Sequence, residues 1–295
     1  MGIVIINVSS SYANKLFEAV NSIPRYLDSE LINNKENQGN IYKKLEEVPG
    51  LSEWSKQILS KVDTFPYGCI LDGLCFDDNR YLLIGLSNIF GIANEPYKAD
   101  DVAHTIQPSS DILFEFEGKP LVECFHTDGS SHLYPPDVFF LQCVSPDQNG
   151  EGQSEIIPIE TLVEGITKYK GDSFIQKLKN PKIPWKLCHD NEDIIYDPIL
   201  SNDSLRWMKY TIAMALSEND DLDLDRSILS SIDEFDSILD PDQLSNMTYK
   251  FGLKKNQLLI CNNKKVLHRR THISKPEQSN RILLETRVRR YPNPS

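Results

Sequence analysis

Short apolar runs of β texture occur in two blocks of this chain with a helix-textured block between them, and that order limits the folds open to it. The first β block begins near residue 67 and holds YGCILDGL, YLLIGLSN, DILFEF and DVFFLQCV, separated by turn residues. The last holds QLLICN and RILLETRVR. Between them, about 160–245 reads as helical. Upstream, 13–22 and 51–62 also read as helices, the second because Leu51, Trp54, Ile58 and Val62 recur at helical spacing. The opening MGIVIIN reads as a first strand. Strands, a helical block and strands again indicate an α+β or elaborated β-sandwich fold rather than a repeating βαβ sheet.

Charge narrows the function classes. The 295 residues carry a formal charge of −12, a poor basis for binding nucleic acid, whose phosphates need a basic face. No stretch approaches the roughly 20 apolar residues that span a bilayer. The N-terminus has no positive region ahead of its short apolar run, so a secretory signal is not expected. Six cysteines without a CxxC pair are expected to be reduced. A soluble cytoplasmic protein is the expectation. Residues 218–242 contain ten acids and one base, Arg226. Ile228, Leu229, Ile232, Phe235, Ile238 and Leu239 form a helical stripe within that segment. An acidic lid over a cationic substrate is one reading. An amphipathic surface helix with a solvated acidic face is the more usual fate of such a run.

Phe125-His126-Thr127-Asp128-Gly129 carries the strongest chemical signal. His126 and Asp128 are two apart, so an extended backbone projects both to one side, where imidazole and carboxylate can reach one metal ion. His268, delivered by an apolar strand, a polar Asn-Asn turn and Val-Leu, supplies a third ligand. Two His and one carboxylate form the facial triad of non-heme Fe(II) oxygenases, which leaves positions for a chelating co-substrate and O2. Zinc hydrolases use the same ligand types. The discriminating feature is an anion clamp. Arg281 lies 13 residues after His268, and Ser154 lies 28 residues after His126. The distal carboxylate of 2-oxoglutarate needs a guanidinium and a hydroxyl of this kind, and a zinc hydrolase does not.

Four segments in order then resemble one family from about residue 84 to 290. They are GLSNIFGIANEP…VAHTIQP, FHTDGSSHLYPPDVFFLQCVSP, GQSEIIPIETLVEGI and NNKKVLHRRT…NRILLETRV. The chain resembles the taurine dioxygenase/clavaminate synthase group of Fe(II)/2-oxoglutarate oxygenases, with the clavaminate synthase and asparagine oxygenase branch the most similar. The resemblance implies a double-stranded β-helix (jelly roll) core with flanking helices and a helical insertion. It would be a single oxygenase domain over 1–295: an N-terminal flanking region 1–66, first jelly-roll part 67–158, helical insertion 159–247 and closing strands 248–295. It implies Fe(II) on His126, Asp128 and His268, with 2-oxoglutarate anchored by Arg281 and Ser154, the latter where Thr is usual. The resemblance also implies that O2 is consumed and that succinate and CO2 are released.

Two departures bear on the substrate. Asp128 stands where the branch often has Glu, which is conservative for a metal ligand. Four residues after the 2-oxoglutarate Arg, some members carry a second Arg for an anionic substrate group, and this chain has Glu285. A sulfonate or similarly placed carboxylate substrate is therefore not expected. A small polar, amine-bearing amino acid or amino-acid-derived natural product is, either free or tethered to a carrier protein, with hydroxylation, desaturation or cyclisation as outcomes. Ser130, Ser131 and Glu285 are candidate substrate residues. His132 reads as a loop residue, His104 and His189 lack metal-like spacing, and His272 yields to His268 as ligand. Arg287-Val-Arg-Arg reads as a solubilising end strand. A non-catalytic jelly-roll binding module and a zinc-dependent hydrolase remain as alternatives.

Overall fold

A computed structural model describes residues 2–23, 34–76, 80–94, 102–111, 115–187, 193–202, 204–218, 226–239 and 247–290. The larger of its two main sheets runs β1 (Val4–Asn7), β2 (Gly68–Asp72), β12 (Leu258–Asn262), β7 (Val138–Ser145), β14 (Ile282–Arg290) and β3 (Gly91–Asn94), with β4 (His104–Ile106) also on β14. The β1–β2 pair is parallel and the other pairs are antiparallel. The smaller sheet is β11 (Tyr249–Phe251), β8 (Ser154–Pro158) and β13 (Val266–Arg270), all antiparallel. The two β blocks of the sequence therefore interleave, because β12 and β14 flank β7 and β13 flanks β8.

Strand periodicity explains the layers. Along β7, Phe139 and Cys143 point into an apolar layer with Ile70, Leu259 and Leu283 of the larger sheet and Ile156 and Val266 of the smaller. Val138 and Phe140 point the other way, into a cluster under the helices Ser10–Asn21, Lys35–Glu46, Leu51–Asp63 and Tyr81–Ser87. On the far side, Ile157 and Leu267 of the smaller sheet pack on the helices Ile159–Lys170, Asp172–Leu178 and Arg226–Ile238. Strands buried on both faces lose polar alternation and read as continuous apolar runs, as these did.

The helices expected over 13–22 and 51–62 are Ser10–Asn21 and Leu51–Asp63. The run YLLIGLSN is a correction: Tyr81–Ser87 is a helix, not a strand. All seven of its residues are buried, so no apolar period distinguished the two. Gly85 lets it approach the helix Lys35–Glu46, since a Cβ there would lie 2.5 Å from Leu45 Cδ1. That neighbouring helix was not expected from its polar sequence. Asn34 caps it, its Oδ1 accepting from Glu36 N at 2.8 Å.

Of DILFEF, only Glu115–Phe116 is a described strand, β5, paired with β6 (Lys119–Pro120), while 112–114 lie outside the described residues. A short helix, Pro108–Asp111, precedes it. The helical block also holds a strand pair, β9 (Pro184–Lys186) with β10 (Ile194–Tyr196), before the helix Lys209–Ser217. In Arg226–Ile238 the apolar stripe faces inward, with Phe235 edge-on to Trp207 at 4.6 Å. The acidic flanks 219–225 and 240–246 lie outside the described residues. Cys69, Cys75, Cys124, Cys143 and Cys261 are free thiols, and Cys188 lies outside the described residues. Among the described residues, no helix is long and apolar enough to cross a membrane.

Candidate active site

The centre of the site begins as a backbone pairing. His126 N donates to His268 O at 3.0 Å and His268 N to His126 O at 2.9 Å, an antiparallel bridge between β13 and the 126–131 segment. Directly opposed residues in such a pair share one face. The two imidazoles therefore lie side by side, ring centroids 4.4 Å apart. Asp128, two residues on, joins them. Its Oδ1 lies 3.4 Å from His268 Nε2 and 3.8 Å from His126 Nε2, and one ligand atom from each residue falls within 4.8 Å of the others.

The loop after His126 is held by buried bonds from distant segments. Asn263, in the β12–β13 turn, accepts from Asp128 N through Oδ1 at 2.8 Å and donates through Nδ2 to Asp128 O at 3.0 Å and Pro136 O at 2.9 Å. Thr127 N donates to Trp207 O, and Trp207 N to Thr127 Oγ1. Arg206, stacked on Trp185, donates to Ser130 O and His132 O. Gly129 turns the chain at φ +64, and a Cβ there would lie 2.6 Å from Pro136 Cδ.

The donor set fits a divalent metal. His126 Nδ1–H donates to Cys124 O at 2.7 Å, which leaves the Nε2 lone pair for a metal. Burial, then the neighbouring His268, pushes the His126 imidazole down to about 4, so it is neutral at pH 7. Burial alone would raise the Asp128 carboxyl, but the charges of Arg287 and then His268 outweigh it and hold it well below the usual carboxylate range. Asp128 Oδ2 is buried without a hydrogen-bond partner, an orphan that a cation would satisfy. A neutral His126 imidazole and an ionised Asp128 carboxylate are the protonation states in which these two groups can bind a metal.

The three residues face a cavity of about 1160 Å³. Its walls also carry Arg281 and Ser154, together with Ser130, Ser131 and Glu285, so every site residue named from the sequence reaches one space. Ser154 pairs in register with Arg270 on β13, two residues beyond His268. Arg281 stands at the head of β14, and Gly152 leaves room for its stem, since a Cβ there would lie 3.1 Å from Arg281 Cδ. Asp147 ties these two walls together. It accepts from Asn149 N and Glu151 N in the loop before β8, and from Ser279 Oγ, which in turn accepts from Arg281 N at 3.2 Å. Ser130 Oγ is engaged in its own loop, at 2.9 Å from Thr127 O and 3.1 Å from Trp207 O.

Several cavity residues were missed or misread in the sequence. Arg287 does not belong to an exposed solubilising face: its side chain is 13% exposed, lines the cavity and touches Asp128 Oδ1 at 3.1 Å, while Arg289 is exposed. Period-two alternation puts it on the same strand face as Glu285. His104 and Arg270 also line the cavity, and neither had a motif to mark it. Asn263 stood in the Asn-Asn turn, but nothing local linked it to Asp128. His272 is exposed and pairs with Glu123, away from the centre. His189 lies outside the described residues. No described residue of the helix Arg226–Ile238 lines the cavity, in keeping with the preferred reading of that stripe as an amphipathic surface helix.

Comparison with known proteins adds three findings. Residues 86–287 match the model of a family described as taurine catabolism dioxygenase TauD, TfdA family. No curated protein sequence matches the chain. Among solved structures, asparagine oxygenase with Fe(II), 2S,3S-3-hydroxyasparagine and succinate aligns with TM-score 0.73 at 14% identity, covering 97% of this chain and 93% of that one. The non-heme iron oxygenase OrfP with Fe and alpha-ketoglutaric acid aligns with TM-score 0.67 at 12% identity, covering 98% and 94%. The same oxygenase with Fe, succinate and (3S)-hydroxy-L-Arg aligns with TM-score 0.64 at 12% identity, covering 97% and 94%.

Proposed function

The chain belongs to the TauD/TfdA dioxygenase family and is a 2-oxoglutarate-dependent non-heme iron oxygenase, and from that premise we propose that it hydroxylates a small, amine-bearing amino acid or amino-acid-derived molecule. One observation carries this reading: a buried His-Asp-His cluster with its ligand atoms within 4.8 Å opens on the same cavity as Arg281 and Ser154. In this reading the two packed sheets form a double-stranded β-helix within one oxygenase domain over 1–295. The amino-acid substrate class is supported by the names of the similar structures, an asparagine oxygenase and an oxygenase holding a hydroxylated arginine.

His126, Asp128 and His268 would hold Fe(II), and Arg281 with Ser154 would hold the distal carboxylate of 2-oxoglutarate. The guanidinium supplies charge-assisted, bidentate pairing, and the hydroxyl adds a neutral bond. Iron with 2-oxoglutarate and O2 supplies the oxidising power to break an unactivated C–H bond, with release of succinate and CO2. The protein's share is position and exclusion. Phe139, Leu141 and Leu259 give the cavity an apolar wall, and the Asn263 clamp fixes Asp128. Ser131 forms part of the substrate side. A cavity of about 1160 Å³ has room for 2-oxoglutarate and an amino acid together.

The test is an anaerobic titration of metal-free protein with Fe(II) and 2-oxoglutarate. A visible metal-to-ligand charge-transfer band is expected in wild type and absent in His126→Ala. Succinate release with a panel of amino acids then identifies the substrate. Absence of the band, with tight Zn(II) binding in its place, would refute the assignment of these residues.

A further inference from the structure

Arg287 and Glu285 are two apart on β14, so both side chains point into the cavity. Arg287 NH2 lies 3.1 Å from Asp128 Oδ1 and 2.9 Å from Glu285 Oε2. The same Glu285 oxygen lies 2.9 Å from Nε2 of His104, its register partner on β4. At that oxygen the Arg287 approach is a contact of charge rather than an aligned hydrogen bond. The Asp128 and Glu285 side chains are each 4% exposed, so little solvent screens the group.

Resting on the oxygenase reading above, we propose that Arg287 is a positioning residue for the Asp128 carboxylate and that Glu285 is the counter-charge that makes this arrangement compatible with a bound cation. A guanidinium can orient a metal-binding carboxylate from outside the ligand set. It also places a positive charge a few ångströms from a divalent ion, and in a poorly screened interior that repulsion is strong. Glu285 cancels that charge. Its carboxylate is thereby committed to Arg287 and His104, and it acts on the site through Arg287 rather than as an open receptor for a substrate amine. This explains why a carboxylate stands on the cavity wall two residues before Arg287: an Arg at 287 needs an acid at 285.

Co(II) binding to metal-free protein, followed by calorimetry and by the visible Co(II) spectrum, tests this without turnover. Glu285→Gln leaves the guanidinium uncompensated and is expected to weaken Co(II) binding about 10–100-fold, the range for groups behind metal ligands. Glu285→Asp keeps the charge and is expected to stay within about threefold of wild type. Glu285→Gln combined with Arg287→Met removes both charges and is expected to recover part of the loss, leaving only the cost of the lost Asp128 positioning, which a merely structural role for Glu285 would not produce. Glu285→Gln within about twofold of wild type, or a double variant as weak as the single one, overturns the proposal. If Glu285→Gln does not fold, Arg287→Lys carries the test. It keeps the charge but loses the planar guanidinium whose NH2 meets both carboxylates, and a drop of about tenfold is expected. Unchanged affinity in that variant overturns the proposal. Wild type failing to bind Co(II) at all would instead sink the oxygenase assignment of the site.

Discussion

Asn263→Ala is the substitution from which the metal centre's architecture predicts most. Asn263 is 1% exposed and lies 135 residues from Asp128 in the chain, yet its carboxamide makes three bonds of 2.8–3.0 Å to Asp128 N, Asp128 O and Pro136 O. Truncation leaves one buried donor and two buried acceptors without this partner. Each costs about 1–3 kcal/mol, and the space left by the side chain can admit a water, which puts each at the lower end. The expected loss is about 3–4 kcal/mol, a large part of the roughly 5–15 kcal/mol of a typical domain. Urea denaturation of metal-free protein measures it, and Co(II) titration is expected to weaken in parallel because the Asp128 backbone is no longer held.

Asn263→Asp sharpens the test at constant shape. The acceptor for Asp128 N is kept, but the two donor bonds become oxygen facing carbonyl oxygen, with a buried charge added. Burial raises the introduced carboxyl above its unfolded value, so its penalty is full above the folded-state pKa and shrinks as pH falls and the carboxyl protonates. Asn263→Asp is therefore expected to be worse than Asn263→Ala at pH 7, with a gap that narrows toward acid. A loss below about 1 kcal/mol for Asn263→Ala would refute the reasoning, because no buried group could then depend on this side chain.

Four further outcomes are expected. Arg281→Ala should raise the 2-oxoglutarate concentration needed for the charge-transfer band while leaving Co(II) affinity near wild type; an unchanged requirement would place the clamp elsewhere. Gly129→Ala should destabilise by about 2–3 kcal/mol in thermal or urea melts, since φ +64 disfavours a side chain and the new Cβ meets the Pro136 ring. Burial would raise the Asp147 carboxyl, but the Ser279 hydroxyl and the Asn149 and Glu151 N–H groups outweigh it and hold it low, so its contribution is present above its ordinary value of 3.8 and is lost as pH falls. Asp147→Asn should therefore cost about 1–2 kcal/mol at pH 7, and its gap from wild type should close in acid melts. Finally, His126 is neutral when folded down to about pH 4 but protonates near 6.5 when unfolded, so metal-free protein should lose stability as pH falls across that window. His126→Phe should flatten that slope.

The sequence by itself determined the identities and the order of the chemical groups. His126 and Asp128 two apart, His268 after an apolar strand and turn, and Arg281 at the head of the last strand are local patterns. Strand β7 and the stripe 228–239 were legible for the same reason, because apolar runs and periods are local. What only the tertiary structure decided was every relation between segments far apart in the chain. Tyr81–Ser87 reads equally as strand or helix, since burial on all sides erases the period, and its packing on a neighbouring helix settled the matter. Nothing local reports that Asn263 grips Asp128, or that His126 bridges His268. Both depend on β12 and β13 entering sheets begun more than 100 residues earlier. Arg287 shows the boundary most plainly. Its alternation with Glu285 was in the sequence, but whether that face met water or the metal centre depended on which sheet β14 joined and what closed over it.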